Sequence, residues 1–243
     1  CDEGLLEPID INSLPAGADG TPAAEDFLAG AVTDCGVSTD IWANIFAYDS
    51  TKFSGDAAPK TVADFFDLEK FPGKRGLKKG AKAVLEFALL GDGVPASEVY
   101  ATLSTPEGVD RAFTKLDTIK KDVVWWEAGA QPPQLLADGE VAMTTAYNGR
   151  IFNAVITEGK PFSIIWDGQI YENEMYVIPK GAPHMEDALE FVKYATSTEG
   201  LRAQAQYISY GPARKSALKD ELLFNDGKTV MGPHLPTAPE NMT

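Results

Sequence analysis

Histidine and cysteine are scarce in this chain. Its 243 residues include two histidines, His184 and His234, and two cysteines, Cys1 and Cys35. No histidine lies near either cysteine in the sequence, so the pattern disfavours both a zinc site and a Cys–His nucleophile pair. We therefore expect no metal and no cofactor.

Long apolar runs and an excess of positive charge are also absent. No stretch reaches the roughly 18 consecutive apolar residues that a transmembrane helix needs. Acidic residues outnumber basic ones by 36 to 21, and the formal net charge is -15. Such a chain repels nucleic acid and anionic membranes, so neither is an expected partner. The 44% hydrophobic content suits one large globular domain or two smaller ones.

The two cysteines admit two interpretations, a pair of buried thiols or one disulfide between Cys1 and Cys35. We favour the disulfide, because closing a loop of this length stabilises a fold by about 3 to 4 kcal/mol in the chain-entropy model. A disulfide would imply an oxidising compartment. The first residues do not resemble a signal peptide, and we expect an N-terminal part of the natural protein to precede them.

What the sequence does contain is an alternation of short strands and helices. We predict strands over 38–49, 123–126, 141–147, 162–166 and 175–178. We predict helices over 61–68, 81–90, 105–121, 133–138 and 199–206, a further helix that opens at Pro183, and a turn over 71–76. This alternation indicates an α/β fold.

The turn Tyr147-Asn148-Gly149-Arg150 is the most informative local feature. It separates an apolar strand from a helix with an apolar face, and Asn148 is a predicted N-cap. Free N–H groups and the positive end of a helix dipole suit such a corner to a small ligand. Arg150 would add a fixed charge and Tyr147 an apolar wall. The alternative is an ordinary strand–turn–helix corner with a surface arginine.

Seven short segments, in order along almost the whole chain, resemble one protein family. They are EGLLEPID (3–10), IW with AYD (41–49), TVADFF with PGK (61–74), GEVA (139–142), YNG (147–149), IPKGA (178–182) and ALEFV (188–192). Together they are similar to the periplasmic spermidine/putrescine-binding proteins of bacterial ABC importers.

The resemblance implies an α/β, two-lobed type II periplasmic-binding-protein fold that closes on a ligand. It implies a first lobe of residues 1–48 and 175–217, and a second of 49–174 and 218–243. Family members continue beyond both ends, so the resemblance also implies that N- and C-terminal parts are missing from this sequence. We expect a monomeric periplasmic receptor that delivers a solute to a membrane ABC permease, and not an enzyme.

The resemblance also carries ligand-binding roles onto individual positions. Tyr147 matches an aromatic residue that stacks on the methylene chain of the ligand. Glu174 matches an acid that pairs with an amine, while Glu172 stands where the family has an aromatic residue. A carboxylate against an ammonium makes a charge-assisted hydrogen bond, about twice as strong as a neutral one. The alternative is that both glutamates are surface residues of an edge strand.

Four further residues complete the expected ligand-binding set. Trp42 lies on the strand that would cross between the lobes, and Gln131 lies in a loop at a lobe edge. Asn148 and Arg150 belong to the turn that follows Tyr147. For Trp42 the alternative is an ordinary core residue.

One departure from the family changes the expected ligand. The helix start that carries a second acidic cluster in the family reads LKKGAKAV (77–84) here, with lysines in place of carboxylates. A polyamine needs an anionic partner at each end, because a buried unpaired ammonium is costly. A zwitterion such as an ω-amino acid would satisfy both Arg150 and Glu174. An ordinary polyamine is the alternative.

An enzyme and a ligand-sensing receptor are the two alternatives to a solute-binding receptor of an importer. An enzyme on the same fold could use Glu172 and Glu174 as an acid–base pair, yet the sequence has no opposing catalytic group, phosphate loop or nucleophile elbow. A ligand-sensing receptor that is not coupled to import would share all the features above. A solute-binding receptor is the function that we predict.

Overall fold

The structure is a computed structural model that describes residues 1–242, and the chain forms two compact units. The first unit comprises Cys1–Trp42 and Tyr171–Ala238, and the second comprises Ala43–Ile170 with the segment that starts at Pro239. The strands are β1 (Val32–Thr33), β2 (Gly36–Asp49), β3 (Arg75–Lys78), β4 (Val123–Trp126), β5 (Met143–Tyr147), β6 (Phe162–Val177) and β7 (Gly211–Pro212). The helices are α1 (Ala23–Asp26), α2 (Val62–Phe66), α3 (Val84–Gly91), α4 (Val99–Leu103), α5 (Pro106–Asp117), α6 (Gln131–Ala137), α7 (Asn148–Ile156), α8 (Met185–Ala195) and α9 (Thr198–Ala205). This mixture confirms the predicted α/β class.

The first unit packs α8 and α9 on an aliphatic core. Buried Val37 of β2, Val192 of α8 and Leu201 of α9 belong to one hydrophobic cluster. Strands β1 and β7 both pair antiparallel with the first half of β2. A disulfide joins Cys1 to Cys35, with their Cα atoms 5.6 Å apart, and confirms the predicted bond.

The second unit is organised around β5 and β3. Strand β5 pairs antiparallel with the second half of β2 and parallel with β3, and β3 pairs parallel with β4. Arg75 of β3 is fully buried, and its guanidinium donates to backbone carbonyls of Phe65, Asp67, Phe71 and Gly73. Burial lowers the pKa of Arg75 to about 10. These bonds fix β3 against α2 and the turn that follows it.

Two helices begin with side-chain caps that are local in the sequence. Thr61 accepts from the backbone N–H of Asp64, whose side chain accepts from Thr61 in return, so α2 begins with a capping box. Thr105 caps α5, which begins with Pro106 at the position that tolerates a missing N–H.

Two segments differ from their prediction. The turn predicted over 71–76 ends earlier, because Arg75–Lys78 pairs with strands on both sides and forms β3. The two strands predicted over 162–166 and 175–178 are one strand of 16 residues, β6.

The predicted cap at Asn148 is wrong. Asn148 is the first residue of α7 and is fully buried, and Tyr147 occupies the cap position. Its Oδ1 accepts from the backbone N–H of Ala43 on β2, at 2.9 Å. The side chain therefore joins the turn to the neighbouring strand.

The unit boundaries differ from the predicted lobe boundaries. They fall at 42/43 and 170/171, inside β2 and β6, so each crossing is part of a continuous strand. Residues 218–238 belong to the first unit, whereas the prediction assigned them to the second lobe. Arg202 of α9 explains this placement, because its guanidinium donates to the carbonyls of Asp220 and Glu221.

Candidate functional site

The carboxyl ends of three parallel strands meet at one edge of the second unit. Strand β3 ends at Lys78, β4 at Trp126 and β5 at Tyr147, and Lys78 pairs with Trp126 in the β3–β4 register. Open α/β sheets bind ligands beyond the carboxyl ends of their strands. We call these three residues, with Gly129 and Arg150, the Tyr147 edge.

The ring of Tyr147 is fixed by packing on two sides. It meets the indole of Trp126 edge-on, with ring centroids 5.7 Å apart and an interplanar angle of 88°. A Cβ atom added to Gly129 would lie 2.8 Å from Cδ2 and Cε2 of Tyr147. The ring therefore rests against the backbone at Gly129, at a position where no larger residue fits without movement.

Two cations lie at the same edge. The Lys78 ammonium donates to the hydroxyl oxygen of Tyr147 at 2.8 Å and lies 5.2 Å from the centre of its ring. Arg150, in the first turn of α7, is exposed. Within residues 1–242, neither side chain has a carboxylate oxygen within 4.0 Å. Lys79 differs, because it pairs with Glu127 at 3.0 Å.

Gln131 supports the loop at this edge. Its Oε1 accepts from the backbone N–H groups of Glu127 and Ala128, at 2.8 and 2.7 Å. The side chain thus closes the loop that carries Gly129. This geometry gives Gln131 a role in shaping the edge.

In the first unit, Trp42 and Glu174 contact each other directly. The indole Nε1 of Trp42 donates to Oε2 of Glu174 at 3.2 Å. Trp42 is half-buried, Glu174 is exposed and Glu172 is half-buried. The hydrogen bond orients a carboxylate that still has open lone pairs towards solvent, as an acceptor for an ammonium requires.

Asp40 lies close to this pair and was missed in the sequence. It is 6% exposed, and its Oδ2 accepts from Nε2 of Gln204 at 2.5 Å, while its Oδ1 has no hydrogen-bond partner within residues 1–242. Burial raises the pKa of Asp40 to about 6, with a further rise from the charge of Glu174 and an opposing effect of the Gln204 bond. The signal available in the sequence was an acidic residue two positions before Trp42 in a strand predicted to be buried.

The described part of the chain contains no cluster of side chains that could form a metal site. Residues 1–242 bring together no group of three or more histidine, cysteine, aspartate or glutamate side chains suited to a metal ion. No helix in the same range is long and apolar enough to span a bilayer.

Comparison with known proteins assigns the family. Residues 1–236 match the family described as bacterial extracellular solute-binding protein, and the chain belongs to that family. It is 48% identical over 242 residues to the gamma-aminobutyric acid-binding protein of Pseudomonas aeruginosa, and it spans 64% of the length of that relative.

Solved structures agree with this assignment. The chain is 33% identical to MotA from A. tumefaciens B6 in complex with glucopine, with a TM-score of 0.81 over 99% of this chain and 71% of that one. It is also 33% identical to the Atu4243-GABA receptor, with a TM-score of 0.80 over 99% of this chain and 69% of that one. These relatives carry the names of binding proteins and receptors, not of enzymes, and they share the predicted periplasmic-binding-protein fold.

The polyamine subfamily suggested by the sequence is not confirmed. The spermidine/putrescine-binding protein PotD from Streptococcus pneumoniae is only 17% identical to this chain, at a TM-score of 0.68. That likeness shows a common fold alone. Three relatives with higher identity are described as a gamma-aminobutyric acid-binding protein, a GABA receptor and a protein in complex with glucopine.

Proposed function

We propose that this protein is a periplasmic solute-binding receptor of an ABC importer, and that its solute is a small zwitterion of the ω-amino-acid class. The observation that carries the proposal is the charge at the Tyr147 edge. Lys78 and Arg150 are cations without a carboxylate partner in residues 1–242, in a chain whose net charge is -15. Cations left unpaired in such an acidic protein favour an anionic group on the solute.

The Tyr147 edge supplies what the carboxylate end of the solute needs. Arg150 offers a fork of N–H donors that matches a carboxylate. It lies in the first turn of α7, where free backbone N–H groups and the positive end of the helix add to the attraction. The ring of Tyr147 would cover the carbon chain. Asn148 and Gln131 would hold the turn and the loop in place.

The first unit carries carboxylates of the kind that pair with an ammonium group. Glu174 is exposed and is oriented by the indole of Trp42. Asp40 adds a second carboxylate near Glu174. Glu172 would contribute negative charge on the same strand.

The relatives support the same class of solute. A gamma-aminobutyric acid-binding protein and a GABA receptor are named for a compound with an amine at one end and a carboxylate at the other. The Cys1–Cys35 disulfide supports an oxidising compartment such as the periplasm. We take 4-aminobutanoate as the reference solute for testing.

Native mass spectrometry tests the class of solute without assuming its identity. Protein purified without refolding should carry a small adduct, and that adduct should be displaced by 4-aminobutanoate. Putrescine, which matches the chain length but replaces the carboxylate with a second ammonium, is the matched competitor. Displacement by putrescine but not by 4-aminobutanoate would contradict the proposal and favour a polyamine.

A further inference from the structure

Lys78 is the least expected residue of the Tyr147 edge. It ends β3 and is half-buried, and its backbone N–H donates to Oγ1 of Thr145 at 3.3 Å. Its ammonium donates to the hydroxyl oxygen of Tyr147 at 2.8 Å, which places it at the hydroxyl end of that side chain. The backbone N–H and the side-chain ammonium of Lys78 are therefore both held by hydrogen bonds. Lysine side chains usually keep considerable rotamer freedom.

Within residues 1–242, no carboxylate oxygen lies within 4.0 Å of this ammonium. The neutral hydroxyl oxygen of Tyr147 attracts a cation less strongly than a carboxylate would. The next residue, Lys79, is exposed and paired with Glu127, as a solvated surface lysine is expected to be. Lys78 and Lys79 are thus neighbours in sequence with different environments.

We propose that Lys78 is a solute-binding residue that recognises the carboxylate together with Arg150, and that it makes the Tyr147 edge selective for an anionic group. This inference deepens the proposed function, and it depends on that function only for the presence of an ammonium on the solute. A solute carboxylate would supply the counter-charge that Lys78 lacks within residues 1–242. A second ammonium at the same place would face two cations and be rejected, which is selectivity by repulsion as well as by attraction.

Two variants separate this role from general charge effects. Lys78→Met keeps the apolar stem and removes the ammonium, and Lys79→Met makes the same change one residue later. Each removes one positive charge and makes the net charge more negative by one, so any long-range effect of charge is the same in the two variants. Circular dichroism of each variant checks that the fold is retained.

Calorimetry with 4-aminobutanoate and with putrescine gives the first measurement. We expect Lys78→Met to weaken 4-aminobutanoate binding by at least about tenfold, since a hydrogen bond to a charged group contributes that much or more. Putrescine should bind Lys78→Met no worse than the wild type, and Lys79→Met should match the wild type for both compounds. Equal 4-aminobutanoate affinity in Lys78→Met and Lys79→Met would overturn the inference.

Thermal unfolding with butanoate gives the second measurement. Butanoate has a carboxylate but no ammonium, so it tests the anion-binding role of the Tyr147 edge by itself. Millimolar butanoate should stabilise the wild type and Lys79→Met, and should stabilise Lys78→Met clearly less. If butanoate stabilises the protein through Lys78 but 4-aminobutanoate does not bind, the proposed function is contradicted and Lys78 remains supported as an anion-binding residue. A wild type that responds to neither carboxylate would overturn both.

Discussion

Replacing Asp40 with asparagine should stabilise the protein at neutral pH and have little effect in acid. Asp40 is 6% exposed, and its carboxyl pKa is raised from 3.8 to about 6. The main cause is burial, which disfavours the ionised form. Asparagine keeps an oxygen that can accept from Gln204 and removes the charge.

The size of the effect follows from the difference between the folded and unfolded pKa values. About 2 pKa units correspond to roughly 3 kcal/mol of free energy of unfolding. Because the folded-state value lies above the unfolded value, this stability is fully present below pH 3.8 and is lost as the pH rises to about 6. We therefore expect Asp40→Asn to gain up to roughly 3 kcal/mol over the wild type at pH 7, and almost none near pH 4.

Urea denaturation followed by circular dichroism, at several pH values from 4 to 8, measures this difference. Asp34→Asn is a suitable control, because Asp34 is an exposed acid in the same unit. The control variant should differ from the wild type by a small amount that does not follow the same pH dependence. A stability difference for Asp40→Asn that is the same at every pH would refute the reasoning.

Two further predictions concern packing and covalent structure. Gly129→Ala should reduce solute affinity with little loss of stability, because the added Cβ would lie 2.8 Å from the Tyr147 ring and displace it. Gly80→Ala is the control for the calorimetry, because its added Cβ would meet nothing within 4 Å. Alkylation of the denatured, unreduced protein should label neither Cys1 nor Cys35. Prior reduction should expose both thiols to labelling and should destabilise the fold by about 3 kcal/mol. Labelling before reduction would contradict the disulfide.

Local signals in the sequence located most helices and strands. Thr61 with Asp64 and Thr105 with Pro106 are cap patterns that act within a few residues, so the starts of α2 and α5 were predictable. Asn148 carries the same kind of signal but is engaged by Ala43, more than 100 residues earlier. A competing partner at that sequence distance cannot be read from local composition.

The candidate site was only partly predictable for the same reason. Tyr147 and Arg150 stood out because a polar turn interrupts an apolar pattern. Lys78 was obscured because residues 71–76 were interpreted as a turn and 77–84 as a helix start, whereas its environment depends on the pairing of β3 with β5. Asp40 was overlooked because its unusual pKa arises from burial and from Glu174, which follows it by more than 130 residues.

The affinity ratio of 4-aminobutanoate to putrescine, measured by calorimetry on the wild type and on Arg150→Ala, tests the central claim most directly. We expect the wild type to prefer 4-aminobutanoate. Arg150→Ala should lose about 2 to 5 kcal/mol of that binding free energy, because it removes one partner of a charge pair. Tight binding of putrescine to the wild type, with an affinity that Arg150→Ala leaves unchanged, would contradict a zwitterionic solute.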